Sequence, residues 1–418
     1  MYSFLKLALS GGCARTAAMS ARRHVHVSRM LPIEMKLPAL PKVTSIKYTI
    51  PTDPYLLANK FREVHRQDKL NDAVAIVMQS KTSNQSVVVW NLVINAYAQT
   101  GRLGRALRAF TEMKRRGFKP TPSTYTALFK ACSLSDSENA QAIAEELFDS
   151  MKSHKIAPTV INVNALLSVY QRKHNLDALL RRFNEMSATG SEAPTLATYT
   201  IVMSALRREL ATRLADLKDG GRENKDGEMS EFSVKRREAL KKQHVHRIFD
   251  ALMQTWKTYV DDAVHRMSEP QGDTPLLNLD AHIVFIVLKA CHAVYSENRS
   301  LGRQGLKIAE QVYGFGRLDF ESKSSSSSSS SNGEKPLALR IYQATATNAG
   351  SNGDAAPTPI IDSTIVDLVL DLCARDNEPS KAIRFWRSLE TNYQSLVGEF
   401  SNESRAKYQA IVDKRKKA

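Results

Sequence analysis

Three stretches of the chain share one skeleton: "VVVWNLVINAYAQTGRLGRALRAFTEMKRRGFKPT" from Val87, "PSTYTALFKAC…AIAEELFDSMKSHKIAPT" from Pro122 and "VINVNALLSVY…LLRRFNEMSATGSEAPT" from Val160. Phe110, Phe148 and Phe183 recur at spacings of 38 and 35, as do Met113, Met151 and Met186, while Pro120, Pro158 and Pro194 follow at 38 and 36. At the front of the copies, Asn91, Thr126, Asn164 and Thr200 each come one residue after Trp90, Tyr125, Val163 and Tyr199. Within the first copy, Trp90, Ile94 and Tyr97 share one helical face, and Ala106, Phe110 and Met113 share another. Each copy is therefore an amphipathic pair of helices. A lone pair cannot bury its apolar face, so tandem copies have to stack, and stacking makes an extended surface instead of a pocket.

A period near 35, an aromatic followed by Asn or Thr, a mid-unit Gly, an Ala…Phe…Met second helix and a closing "GFKP" resemble the pentatricopeptide repeat family over residues 87–210. A tetratricopeptide array would hold a period of 34 and open with Trp-x-x-Leu-Gly; this chain does neither. The resemblance implies an all-α fold, a right-handed helical-hairpin solenoid of about five to six hairpins with a disordered insertion, binding single-stranded RNA at one base per repeat. It also implies a pair of base-reading residues per unit: Asn91 with Thr121, Thr126 with Thr159, and Asn164 with Thr195, with Thr200 opening a fourth pair. An Asn amide offers both donor and acceptor to a base edge, and a Thr hydroxyl does either. Three residues earlier, the aliphatic Val88 and Ile161 suit sandwiching of bases, whereas Ser123 and Ala197 suit it poorly. The units close with Thr where the family uses Asp or Asn, and the pattern suggests alternating pyrimidine and purine preferences. Helix capping competes with this reading, because Thr121 before Pro122 is a good cap and first turn.

Residues 55–86 read as a degenerate capping hairpin, followed by repeats at 87–121, 122–159 and 160–195. A fourth repeat-like unit, 196–276, carries the charged insertion "KDGGRENKDGEMSEF", and 277–320 reads as a further degenerate hairpin. The Ser/Gly/Asn/Ala-rich segment 321–359 lacks the apolar residues to offset backbone entropy and is expected to be largely disordered. A last degenerate hairpin is expected at 360–395, and a basic tail at 396–418.

The formal net charge is +16, which favours a polyanionic partner, nucleic acid ahead of a membrane surface. The first repeat is strongly basic; Arg105 and Arg115 are candidates for phosphate contacts, alongside "LRREL" and "KRREALKK". No acid precedes Glu34, while Lys6, Arg15, Arg22, Arg23 and Arg29 do. That composition reads as a mitochondrial transit peptide over 1–30, with an extended linker over 31–54 and a matrix location. A secretory signal would need an apolar run longer than Leu5–Leu9.

Catalytic signals are poor. Cys13, Cys132, Cys291 and Cys373 form no Cys-x-x-Cys pair, so neither a metal nor a redox motif is indicated, and the last three read as core residues. His244 and His246 point to different sides of a helix, and Asp367 and Asp371 read as an outer-face pair, which argues against an appended nuclease. There is no phosphate-cradling Gly loop and no nucleophile motif. The chain is expected to act without catalysis and without a cofactor, binding mitochondrial mRNA or rRNA to support processing, splicing, stability or translation. The alternative is a helical scaffold associated with the mitochondrial ribosome, in ribosomal RNA maturation or as a small-subunit component; a protein partner such as the mitochondrial ribosome or a processing complex is expected.

Overall fold

The computed structural model describes residues 38–41, 48–219, 231–268, 276–315, 336–338, 340–341, 361–392 and 402–417, and every regular element among them is helical. They fall into two compact units that part between Pro194 and Thr195. The expected transit peptide and most of the linker, together with 220–230 and 321–335, lie outside the described residues.

The N-terminal unit runs α1 (Pro54–Arg66), α2 (Leu70–Gln79), α3 (Val87–Gln99), α4 (Leu103–Arg115), α5 (Pro122–Leu134), α6 (Ala140–Ser153), α7 (Val160–Arg172) and α8 (Leu176–Asn184). Consecutive helices pair as hairpins, and the first helices α1, α3, α5 and α7 stack in turn on one another. Local chemistry fixes where they start. Asp53 accepts from the Leu56 amide at 2.9 Å ahead of Pro54, Ser86 caps α3, and Thr121 and Thr159 each close a capping box with the residue three places on. Gly101 turns α3 into α4 at φ 66°, and a Cβ there would sit 3.0 Å from the Leu134 carbonyl oxygen. The aromatic positions of the repeat form the core: Trp90, Tyr97, Tyr125, Tyr170 and Phe183 are fully buried, and Phe110 meets Tyr125 edge-on at 5.8 Å, tying α4 to α5.

In the C-terminal unit, α9 (Leu196–Asp219) and α10 (Glu231–Ser268) form a long pair; the 38 residues of α10 span about 57 Å. Tyr199 meets Tyr259 edge-on at 5.2 Å and donates from its hydroxyl to Asp262 at 3.0 Å. Then come α11 (Ala281–Val294), the four-residue α12 (Arg299–Gly302), α13 (Gln304–Tyr313), α14 (Ser363–Asp376) and α15 (Pro379–Asn392). Gly305 lets α13 approach closely, since a Cβ there would lie 2.8 Å from that of Cys291. Cys132, Cys291 and Cys373 are buried free thiols, each pushed up to about 12 by burial, and so are unreactive core residues. Cys13 lies outside the described residues.

Of the segment expected to be largely disordered, 336–338, 340 and 341 are the described residues, with Leu337, Ala338 and Ile341 buried; the rest of it lies outside the described residues. One expectation needs correction: the expected basic tail contains α16 (Asn402–Lys417), which packs on both α14 and α15. Tyr408 stacks on Trp386 at 4.6 Å, Ser404 donates to Asp367 at 2.7 Å, and Lys407 bridges Asp367 and Asp371. Those two acids therefore face a helix, not an open outer surface. The reason is compositional: the apolar side chains of α16 are few, and its polar ones find partners only once α14 is in place. Tyr408→Ala is expected to raise amide exchange over α16 roughly five-fold or more, because aromatic stacking is worth about 1 kcal/mol; unchanged exchange would mean that the stack does not hold the helix.

Candidate nucleic-acid interface

An open groove of about 960 Å³ runs across the N-terminal halves of α3 and α5 to the start of α7. It brings together six of the residues singled out in the sequence: Val88, Asn91, Thr121, Thr126, Thr159 and Ile161. Helix numbering explains why. Val88 and Ile161 are second residues of their helices, Asn91 and Thr126 are fifth residues, and positions i and i+3 share a face. Val88 is 54% exposed and Ile161 63% exposed, unusual for large aliphatics in a chain whose repeated aromatic, Phe and Met positions are buried.

The polar residues are not free hooks. Thr124 donates to Asn91 Oδ1 at 2.6 Å, and Asn91 Nδ2 donates to Thr121 Oγ1 at 3.3 Å. Thr124 has spent its only hydrogen, so the 3.1 Å contact between the Thr121 and Thr124 hydroxyls is donated by Thr121. With the Thr124 amide also bonded to it in the capping box, the Thr121 hydroxyl is saturated. Asn91 keeps one amide hydrogen and one lone pair for a ligand. One unit on, Asn162 is fully buried and takes up Thr126: its Nδ2 donates to Thr126 Oγ1 at 2.9 Å and to Pro122 O at 2.8 Å. Its Oδ1 accepts from the Thr159 amide and hydroxyl at 3.1 and 2.9 Å. Thr126 donates to Pro122 O at 3.1 Å, so what its hydroxyl still offers is one lone pair. The same rung recurs in the C-terminal unit, where Asp367, fifth residue of α14, accepts from Ser404, third residue of α16.

The fifth-position residue thus serves two ends. It registers each first helix on the next, and it presents leftover capacity to the groove. Capping accounts for Thr121 and Thr159; it does not account for Asn91 or Thr126.

Other expected site residues lie elsewhere. Asn164 is the fifth residue of α7 and does not line this groove. Thr195 and Thr200 belong to the C-terminal unit, where the Thr195 amide donates to Thr198 Oγ1 at 3.0 Å and Thr200 donates back to Leu196 O at 2.8 Å. The expected phosphate contacts Arg105 and Arg115 sit on α4, a second helix, and neither lines the groove. Arg115 instead makes a two-pronged bond to Glu112 at 2.8 and 2.9 Å, which holds that carboxyl below its usual value in spite of burial. Among the described residues, the cation that does line the groove is Lys130, and no carboxylate lines it. Lys130 follows Thr126 by four residues on the same face. That spacing is readable in the sequence once the helix start is known.

Family models match the chain as the PPR repeat family over residues 85–133 and as the pentatricopeptide repeat domain over 133–172 and 147–208. Over residues 85–208 the chain is thus similar to pentatricopeptide repeats. A mitochondrial pentatricopeptide repeat-containing protein of Arabidopsis thaliana is 30% identical over 102 residues, 24% of this chain and 17% of that relative. A second from Arabidopsis thaliana is 26% identical over 132 residues, 32% of this chain and 23% of the relative, and a chloroplastic one is 29% identical over 106 residues, covering 25% and 13%. The match thus spans less than a quarter of each relative's length. Among solved structures, the pentatricopeptide repeat protein PPR10 in complex with an 18-nt psaJ RNA element aligns with 87% of this chain and 54% of its own, at 15% identity and a TM-score of 0.33. The matched residues contain the whole groove. No helix among the described residues is long and apolar enough to cross a membrane.

Proposed function

We propose that the protein binds single-stranded RNA along the groove and performs no chemistry on it. The observation that carries this reading is the stripe on α3, α5 and α7: exposed Val88 and Ile161 on either side of the unspent hydrogen-bonding capacity of Asn91 and Thr126. Apolar side chains with no core to join suit the faces of bases. Asn91, with a donor and an acceptor left, suits a base edge, while Thr126 suits an edge that donates. Stacking of about 1–3 kcal/mol per base over three or four units approaches the roughly 8 kcal/mol of micromolar binding only if phosphate contacts add to it. Lys130 supplies one such contact.

The acid-free, Arg-rich N-terminus supports a mitochondrial location, as does the mitochondrial description of one relative. Three or four bases define no unique site in a transcriptome, so a protein partner or RNA structure completes the recognition. The role is then to support processing, splicing, stability or translation of the bound RNA. A second reading, a scaffold within the mitochondrial ribosome, is favoured by α10, where Lys235, Arg236, Arg237, Lys241 and Lys242 are exposed or half-buried around an exposed Leu240. Stoichiometric co-sedimentation with ribosomal subunits supports the scaffold; a short crosslinked footprint on a transcript supports the first reading.

Truncating Val88 and Ile161 together to alanine tests the groove directly. Both side chains are exposed, so the melting temperature is expected to stay within a degree or two, while affinity for single-stranded RNA falls roughly ten-fold or more. Asn91→Ser is expected to change the base preferred at one position and also to lose stability by about 1 kcal/mol, because the rung to Thr124 is broken. Wild-type affinity in the Val88/Ile161 double variant would place the RNA elsewhere.

A further inference from the structure

Over residues 235–247 of α10, the cations Lys235, Arg236, Arg237, Lys241, Lys242 and Arg247 face a single acid in the sequence, Glu238. Lys241 and Arg247 are half-buried and the other four are exposed. Stability does not ask for such a row. Arg237 and Lys241 are like charges four residues apart, which disfavours a helix, and a face kept only for solubility mixes both signs. Glu238 answers Lys242 at 2.9 Å, and Lys241 turns aside to donate to the Asp216 carbonyl of α9 at 2.9 Å. Beyond His246, which meets Asn298 at 3.2 Å, α10 lies along the last turns of α9, where Leu210 and Leu214 are buried. Arg236, Leu240, Gln243 and Arg247 recur at helical spacing on the side opposite the buried Val245, Phe249 and Leu252.

The composition of this face narrows its partner. Its exposed apolar residues are Ala239 and Leu240, too little for the apolar centre of a protein interface, where Lys is also depleted, or for insertion into a lipid surface. It contains no Phe, Tyr or Trp on which bases of a single strand would stack. What remains is positive charge at fixed intervals along about 18 Å of rigid helix, which suits phosphates that are themselves held at fixed intervals. We infer that this face of α10 binds the backbone of double-helical RNA, as a second RNA site whose residues are not those of the groove. Gln243, both donor and acceptor, lies on the same side as Arg236 and Arg247, where the shallow minor groove of an RNA duplex presents 2′-hydroxyls beside phosphates. The inference takes from the reading above only that the partner is RNA, and it assigns a different form of RNA to a different surface.

The test uses the full chain and fluorescence anisotropy with three probes: an RNA duplex of about 20 base pairs, a DNA duplex of the same sequence and a random-sequence single-stranded RNA of the same length. Arg236→Gln, Arg237→Gln and Lys242→Gln are combined in one variant; all three side chains are exposed and Gln is a good helix former, so the fold is kept. That variant is expected to bind the RNA duplex roughly ten-fold more weakly or worse, with the slope of log affinity against log salt reduced by about two to three. Its affinity for the single strand stays within about two-fold, because the groove contains none of these residues. The Val88/Ile161 double variant should show the reverse, and Arg236→Lys with Arg237→Lys should keep most of the duplex binding, since a phosphate needs only the charge. A triple variant that binds the RNA duplex like wild type overturns the inference and leaves the groove reading standing. Equal loss of duplex binding in the triple and the Val88/Ile161 variants also overturns it, because one surface would then serve both RNAs. A DNA duplex bound as tightly as the RNA duplex overturns the assignment to RNA. If wild type binds the RNA duplex but not the single strand, the groove reading falls and this inference stands.

Discussion

Replacing Trp90 with alanine is expected to destabilise the N-terminal unit by about 3–5 kcal/mol, the range for deleting a large aromatic from a packed core. Trp90 is fully buried on α3, and its Nε1–H donates to Gln85 Oε1 at 3.1 Å. Gln85 is itself buried, and its amide nitrogen donates to the Val77 carbonyl at 2.8 Å, closing α2 onto the start of α3. Over the indole lies the Arg116 guanidinium, 5.5 Å from the ring, also bonded to Glu112 at 2.8 Å and to the Met78 carbonyl at 3.2 Å. Deleting the indole thus leaves a cavity, an unpaired buried carbonyl and an arginine without its platform. Trp90→Phe separates the terms: it refills most of the cavity but orphans Gln85, so about 1–3 kcal/mol should remain lost. Urea melts of the full chain followed by near-ultraviolet circular dichroism measure both. A loss under 1 kcal/mol for the alanine variant would show that this cluster does not close the first hairpins together.

The C-terminal unit has its own latch. Asp376 ends α14 with a side chain only 4% exposed, and accepts from the Tyr295 hydroxyl at 3.0 Å, Arg303 Nε at 2.6 Å and Arg299 Nε at 3.3 Å. A carboxylate at a helix C-terminus opposes the helix dipole, so the charge is held there by the two guanidinium groups of α12 and the residue after it. Asp376→Ala is expected to cost about 2 kcal/mol; the arginines are half exposed and recover water, which keeps the loss below that of a fully buried pair. Burial alone would push this carboxyl up, but the bonds from Arg303, Tyr295 and Arg299 outweigh it and hold the group below its ordinary 3.8. A folded-state value below the unfolded one means that the stabilisation is fully present above the unfolded value and fades as pH falls through the folded one. Denaturant melts should therefore show a constant gap between wild type and Asp376→Ala from pH 7 to 5, narrowing below about 4. A gap that widens toward low pH would mean that the carboxyl is protonated in the folded protein.

Much of the candidate groove was legible in the sequence because helical periodicity is strict. Once "VVVWN", "PSTYT" and "VINVN" are aligned, Val88, Asn91, Thr126 and Ile161 fall on one face by arithmetic. The bonding of those residues was not legible. That Thr121 is saturated, that Asn91 keeps one donor and one acceptor, and that Asn162 takes up Thr126 all depend on how closely α3, α5 and α7 approach, which involves residues 30–40 apart in the chain. That Arg105 and Arg115 do not line the groove was not legible for a related reason: a count of charges ranks basic segments but says nothing of which side of the hairpin the second helix occupies.

By itself, then, the sequence determined the hairpin unit, its recurrence and the face on which the fifth-position residues lie, because those follow from spacing along a single helix. The tertiary structure alone decided which polar atoms are spent on holding neighbours and which remain for a ligand. It also recruited α16, whose "NESRAKYQAIVDKRKK" carries too few apolar residues to announce a packed helix. Helix faces are set by 3.6-residue periodicity, but hydrogen-bond capacity is shared between helices and is divided only when they meet.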